Sequence, residues 1–290
     1  MNKLDDKIIQ AAELAGQRFV LSLNSRFAGF QGGGKFGRGT GQSLEFVEHR
    51  EYQPGDDLRH VDWSAAARSD RLSIKLFREE ITPHADIFID LSASMAVNNE
   101  KLHGLQTMTA IMRRAAFNSG YSCDSWLIKD LCKRVEPSSL PLEKWPDFNA
   151  DYTKSAGDTL ENYLPKLKNG AVRVIISDLF WNQDPMTILQ RFTSGSSAVI
   201  VIQIVSERDI EPEVFGNVRV VDSESGEAVE LIADEALIDE YKQNFERHRQ
   251  YWKECCTRTG AIFNFCIAEK FMKDYMPSEL IENGVLTARS

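Results

Sequence analysis

The chain has 290 residues, 42% hydrophobic and 27% charged, which fits one large or two modest globular domains. Its formal net charge is −9, and the deficit falls on residues 85–290, with 22 basic and 31 acidic side chains against 12 and 12 in residues 1–84. That distribution argues against a nucleic-acid footprint, and no apolar run approaches the ~20 residues needed to span a bilayer.

Taken in order, residues 4–23 carry Ile8, Ala12, Ala15, Phe19, Val20 and Leu23 near helical spacing and predict a helix. Residues 29–41 are glycine-rich and include Lys35 and Arg38. A phosphate cradle is excluded there, because Gly32-Gly33-Gly34-Lys35 runs into Phe36 instead of Ser or Thr and follows no strand, so a mobile loop is expected. Segments 43–52 and 72–81 predict strands, the second alternating Leu72, Ile74 and Leu76 with polar residues. Pro54-Gly55-Asp56-Asp57 between them is a turn by composition. Arg59, Asp62, Trp63 and Arg68 follow as a dense charged and aromatic set. An internal salt-bridge network locking this module onto the sheet is the expected role, and partner binding is the other use of such residues.

From residue 84 onward strands and helices alternate. Strand 85–90 precedes helix 101–119, whose Leu105, Met108, Met112 and Ala115 share a face suited to a core. Segments 121–130 and 131–135 predict a hairpin-like pair, and 137–155 a loop. Helix 159–168, strand 171–176, helix 185–193 and strand 197–205 come next. Segments 218–222 and 228–232 flank Ser225-Gly226 as a hairpin. Helix 237–259, strand 261–267 and helix 270–282 complete the chain. Such alternation predicts an α/β fold with a doubly wound, mostly parallel sheet over residues 84–290, joined to a small helix-plus-β module over residues 1–83. The polar N-terminus lacks a secretory core. The five cysteines, with no Cys-x-x-Cys pair, suit reduced thiols, so a cytoplasmic protein is expected.

The chemistry concentrates after strand 85–90. Asp90, Ser92 and Ser94 stand two apart, and in extended chain they turn one carboxylate and two hydroxyls toward one point. These are hard oxygen ligands suited to Mg²⁺, and the carboxyl end of a strand is where open α/β sheets bind ligands. Helix capping is the plainer use of such residues. Thr159, delivered by the small-residue run Ala156-Gly157-Asp158, and Asp178, ending a second buried strand, add a hydroxyl and a carboxylate from separate α/β units. The five histidines are scattered and form neither a nucleophile elbow nor a His-x-x-x-His pair.

The set Asp90-x-Ser92-x-Ser94, Thr159 and Asp178 resembles, in order and spacing, the metal-ion-dependent adhesion site of von Willebrand factor type A domains. The run from Arg50 through Tyr52, Asp56, Asp57, Arg59, His60, Asp62 and Trp63 to Arg68 resembles the signature of the bacterial domain-of-unknown-function family fifty-eight. Its members resemble a short N-terminal module fused to a type A domain. The resemblance implies that Asp90, Ser92, Ser94, Thr159 and Asp178 hold Mg²⁺, or Mn²⁺ or Ca²⁺ in its place, with one position open to an Asp or Glu of a partner. It also implies an adaptor without enzymatic activity, working with a MoxR-type AAA+ ATPase and a client protein. Two rival expectations stand beside it: a Mg²⁺-dependent phosphoryl-transfer hydrolase with Asp90 as nucleophile, and a metal-free scaffold. The hydrolase is weakened because Ser92 stands where such enzymes carry a second Asp.

Overall fold

The computed structural model describes residues 6–23, 44–57, 59, 61–69, 72–79, 83–138, 141–145, 150 and 154–289. The chain forms two units, Met1–Gly32 with Pro83–Ser290, and Gly33–Thr82. Among the described residues the helices are α1 (Asp6–Gly16), α2 (Trp63–Ser69), α3 (Asn99–Asn118), α4 (Ala156–Tyr163), α5 (Pro185–Thr193), α6 (Glu207–Ile210), α7 (Glu235–Thr259), α8 (Ala268–Asp274) and α9 (Ser278–Glu282). The strands are β1 (Phe19–Leu21), β2 (Leu44–Glu51), β3 (Ser73–Glu79), β4 (His84–Asp90), β5 (Ser122–Ile128), β6 (Cys132–Arg134), β7 (Val172–Ser177), β8 (Ala198–Val205), β9 (Gly216–Val221), β10 (Ala228–Ala233), β11 (Ile262–Ile267) and β12 (Leu286–Ala288).

In the larger unit a six-stranded sheet runs β11-β8-β7-β4-β5-β6, parallel throughout except for β6, which turns back antiparallel to β5. β4, β7 and β8 are buried along their whole length, as continuous β-branched runs require when helices cover both faces. Ile87 and Ile89 face one core with Ile9 and Ala12 of α1, Leu105, Met108 and Ile111 of α3, and Phe271 of α8. Phe88 faces the other with Leu160 of α4, Phe192 of α5 and Trp252 of α7. It stacks on Trp126 at 5.9 Å and meets Phe192 edge-on at 4.9 Å. β4 comes first in sequence but lies centrally, with β5 on one side and β7, β8 and β11 on the other. The chain reverses its winding there, so the crevice lies at the carboxyl end of β4.

The mostly parallel α/β architecture is therefore the one the sequence predicts, and the Met face of α3 is core. Two helices and the domain boundary differ, besides the shifted bounds of α4. The helix expected over 4–23 ends at Gly16, where an added Cβ would meet Arg114 Cβ at 2.8 Å and the Ile111 backbone at 3.2 Å; the chain then pairs β1 antiparallel with β12. α1 belongs with the sheet unit, so the contacts divide residues 1–83, which the sequence groups as one module. The helix expected over 270–282 breaks into α8 and α9, because Tyr275 takes a left-handed φ of 56° and Pro277 bars a helical residue before it. In the smaller unit β2 and β3 pair antiparallel with a bulge between Phe46 and Glu48. The glycine-rich stretch 29–41 lies outside the described residues.

Candidate functional site

Asp90 closes β4 and is fully buried, opposite Ile128 of β5 and one step beyond the Ile89–Ile176 pair with β7. One carboxylate oxygen accepts the Ser92 N–H at 2.8 Å; the other accepts the Ser177 hydroxyl at 2.5 Å and the Trp181 indole N–H at 3.2 Å. Burial and the neighbouring charge of Asp178 push the Asp90 carboxyl up, against the hydrogen bonds from Ser177 and Ser92. Ser92 and Ser94 do converge, with hydroxyl oxygens 3.0 Å apart. Strand alternation is not the cause. Ser94 lies in the 3-10 turn Ala93–Ala96, so a tight turn brings the hydroxyls together.

Asp178 follows β7 and is also buried. It accepts the Phe180 N–H at 3.2 Å and faces the Lys101 ammonium at 3.0 Å. Lys101, in the first turn of α3 and 1% exposed, lies 3.4 Å from Asp209 as well. Burial alone would lower this ammonium, but Asp178 and Asp209 outweigh it and hold it raised. Leu179 takes a left-handed φ of 62° while fully buried. Its N–H donates to the Ser177 hydroxyl at 2.8 Å, and His248 meets its carbonyl at 2.8 Å. This constrained backbone folds Trp181 back onto Asp90.

Thr159 lies in the first turn of α4, which starts at Ala156, earlier than the sequence predicts. Its hydroxyl donates to the carbonyl of Lys129, just past the end of β5. α4 reaches Asp90 through Gly157, where an added Cβ would lie 2.9 Å from Trp181 Cβ. Gln183 ties the same loop down, donating to Asp158 at 2.5 Å. The five predicted ligands thus belong to loops gathered around the carboxyl ends of β4, β5 and β7. A divalent cation fits this donor set. Buried Asp90 and Asp178 act on one another there, Asp178 already paired with the Lys101 ammonium, and three hydroxyls supply the hard neutral oxygens that Mg²⁺ accepts. Lys101, Ser177, Trp181 and Gln183 carry no local motif and were not legible as site residues.

Glu224, at the tip of the β9–β10 ribbon, is half-buried between exposed neighbours. Burial, then the charges of Asp90, Asp178, Asp222 and Asp158, push its carboxyl up to about 7. Folding therefore favours the protonated acid. Its contribution is complete below the ordinary value of 4.5 and is lost as pH rises through about 7. In chelator, Glu224→Gln is expected to melt above the wild type at about pH 8 and to converge with it near pH 4. A gap of constant size across that range would remove Glu224 from the neighbourhood of the two aspartates.

In the smaller unit the signature residues chiefly bind one another. Arg50 grips both oxygens of Asp56 at 2.8 and 2.9 Å, and the Gln53 N–H, first, with Arg50 holds the Asp56 carboxyl below its ordinary range. Arg59 forks onto Asp57, with Nη2 at 2.7 Å. Asp62 caps α2 through the N–H groups of Ser64 and Ala65, both at 3.0 Å, and meets His49 at 2.9 Å. The Tyr52 N–H donates to Leu72 at 3.0 Å, and the Arg68 guanidinium donates to the Ser64 carbonyl at 3.1 Å. Trp63 is 62% exposed, unusual for so large an apolar ring.

Residues 48–251 match the family described as "Protein of unknown function DUF58". The chain belongs to this family. DUF58 relatives include uncharacterized proteins of Mycobacterium bovis and Mycobacterium tuberculosis, each 24% identical over 270 residues, covering 85% of this chain and 80% of the relative. Two solved structures are also similar. The conserved hypothetical protein BatB from Bacteroides thetaiotaomicron matches at 10% identity and a TM-score of 0.34, covering 69% of this chain and 98% of its own. An aerotolerance-related membrane protein from Bacteroides fragilis matches at 13% and 0.38, covering 69% and 99%. Scores this low decide nothing about this DUF58 chain. No helix among its described residues is long and apolar enough to cross a membrane.

Proposed function

We propose that this DUF58 protein is a divalent-cation-dependent interaction module of the von Willebrand factor type A kind. In this reading Asp90, Ser92, Ser94, Thr159 and Asp178 form a metal-ion-dependent adhesion site for Mg²⁺ or Mn²⁺. One observation carries it: the pairing of buried Asp90 and Asp178 beside two touching hydroxyls at the switch point of a parallel sheet. A bound cation would supply an electrophile to which a partner's Asp or Glu adds a charge-assisted bond. This chain's own residues hold the carboxylates in place: Ser177 and Trp181 fix Asp90, and the Phe180 N–H and Lys101 fix Asp178. A partner also has apolar surface to use. On the β9–β10 ribbon Val220, Val221, Val229 and Ile232 are more than half exposed, next to a tip that feels the charge of both aspartates. The family resemblance supplies the partner class, a cytoplasmic MoxR-type AAA+ ATPase or its client.

Lys101 favours a second reading, the metal-free scaffold, because its ammonium neutralises Asp178 without any ion. Melting curves separate the two. Mg²⁺ or Mn²⁺ is expected to raise the melting temperature of the wild type and leave Asp90→Ala unmoved. Equal shifts in both, or none in either, would favour the scaffold. A pull-down with and without chelator then identifies what the site holds.

A further inference from the structure

The opposite, amino-terminal end of β4 carries a second cluster of ligand atoms. In β4, His84 and Asp86 are two apart and turn to the same face. In register, Asp86 stands beside Asp124 of β5, and both are buried, at 2% and 7% exposure. Like charges opposite one another on neighbouring strands repel, and burial deepens the cost. One ligand atom from each of His84, Asp86 and Asp124 lies within 4.8 Å of the other two. His84 Nε2 is 3.3 Å from Asp86 and 3.5 Å from Asp124. Those separations are long for a charge-assisted hydrogen bond, which runs at about 2.7–2.9 Å. They match the edge of a tetrahedron, about 3.3–3.4 Å for metal–ligand bonds of about 2.0–2.1 Å.

The surroundings complete the picture. The other ring nitrogen of His84 meets the Ser122 hydroxyl at 2.8 Å, and that hydroxyl donates to the Pro83 carbonyl at 3.2 Å. With its own hydroxyl donated to Pro83, Ser122 can accept from Nδ1–H, the tautomer that presents the Nε2 lone pair to an ion. Such an outer hydrogen bond is what orients a metal-binding imidazole. The second oxygen of Asp86 is buried with no hydrogen-bond partner among the described residues, while its first accepts the Trp126 indole at 2.9 Å. Three cations stand nearby. Arg173 spends its guanidinium on the carbonyls of Phe192 and Ser194 at 2.6 and 2.9 Å. Arg134 and Lys168 approach Asp124 at 3.3 and 3.8 Å, and Lys168 also lies 3.4 Å from Nδ1. Both side chains reach solvent, Lys168 more than Arg134, and can swing away from an incoming ion.

We propose that His84, Asp86 and Asp124 form a second metal site, selective for a transition metal of the Zn²⁺ type, with Arg134 and Lys168 as competitors that guard it when empty. One imidazole and two carboxylates suit Zn²⁺ better than Mg²⁺, which avoids nitrogen and needs an octahedron. The site is independent of the Asp90 centre and stands or falls without it. The test is calorimetric titration of the whole chain with Zn²⁺ in excess Mg²⁺, and with Co²⁺ followed by visible absorption. One equivalent should bind, and Co²⁺ should give the intense band of a tetrahedral site without a thiolate charge-transfer band, which excludes the cysteines. His84→Gln and Asp124→Asn should each weaken binding more than about tenfold. Arg134→Ala should tighten it about fivefold by removing a competing charge. Absent binding, or binding unchanged by His84→Gln and Asp124→Asn, overturns the proposal. A thiolate band overturns it too.

Discussion

Lys101→Met is expected to destabilise the protein by about 3–5 kcal/mol, the range found when one partner of a buried ion pair is removed. At the size of this chain that is a fall of about 6–20 °C in melting temperature. Lys101 is 1% exposed and is the ammonium that faces both Asp178 and Asp209. Without it Asp178 is a buried carboxylate with a backbone N–H for support, after the strand next to that of Asp90, whose carboxyl already sits high. Methionine preserves the volume and the packing over the Phe180 ring, now 5.3 Å from the ammonium. The measured loss then reports charge. Calorimetry in chelator gives its size, and repeating it with Mg²⁺ gives a second reading, because an ion at the Asp90 centre should restore part of the stability. A change below about 1 kcal/mol would make the pair as weak as a surface bridge.

Gly157→Ala should separate the geometry of the centre from its charge. The new Cβ would lie 2.9 Å from Trp181 Cβ and press on Gln183 as well. Overpacking of this kind costs about 1–3 kcal/mol. The larger consequence is positional. Trp181 loses its hold on Asp90 at 3.2 Å, and Thr159 shifts with the first turn of α4. The Mg²⁺-dependent rise in melting temperature expected of the proposed site should vanish although all five of its proposed oxygen ligands remain. Tryptophan-selective NMR can follow the Trp181 indole directly. A variant that keeps both the indole resonance and the Mg²⁺ response would show that α4 and the Asp90 loop are not mechanically joined.

The sheet was legible because its strands are written locally. Ile87 to Ile89 and the run from Val172 to Ile176 are short and β-branched, and each is flanked by a helix with its own apolar face. The ends of elements were less legible. Gly16 terminates α1 because α3 passes within touching distance, a fact of packing that residues 4–23 do not encode. Pro277 did announce the break between α8 and α9, but the apolar residues on either side masked it. At the centre, Asp90, Ser92, Ser94, Thr159 and Asp178 could be listed from spacing, because each follows a strand or opens a helix. Lys101, Trp181 and Glu224 could not, since nothing beside them in sequence marks them as neighbours of Asp90. His84, Asp86 and Asp124 became a group only once the register of β4 and β5 was known.

β4 also constrains how anything felt at one end could reach the other. It is laddered to β5 along one side and to β7 along the other. A one-residue slip would turn Ile87 and Ile89 out of one core and Phe88 out of the second. The strand therefore serves as a fixed strut and cannot act as a sliding rod. A force on the Asp90 end would pass to the flanking loops and the helices they launch, α3 among them, whose first turn is tied to Asp178 through Lys101.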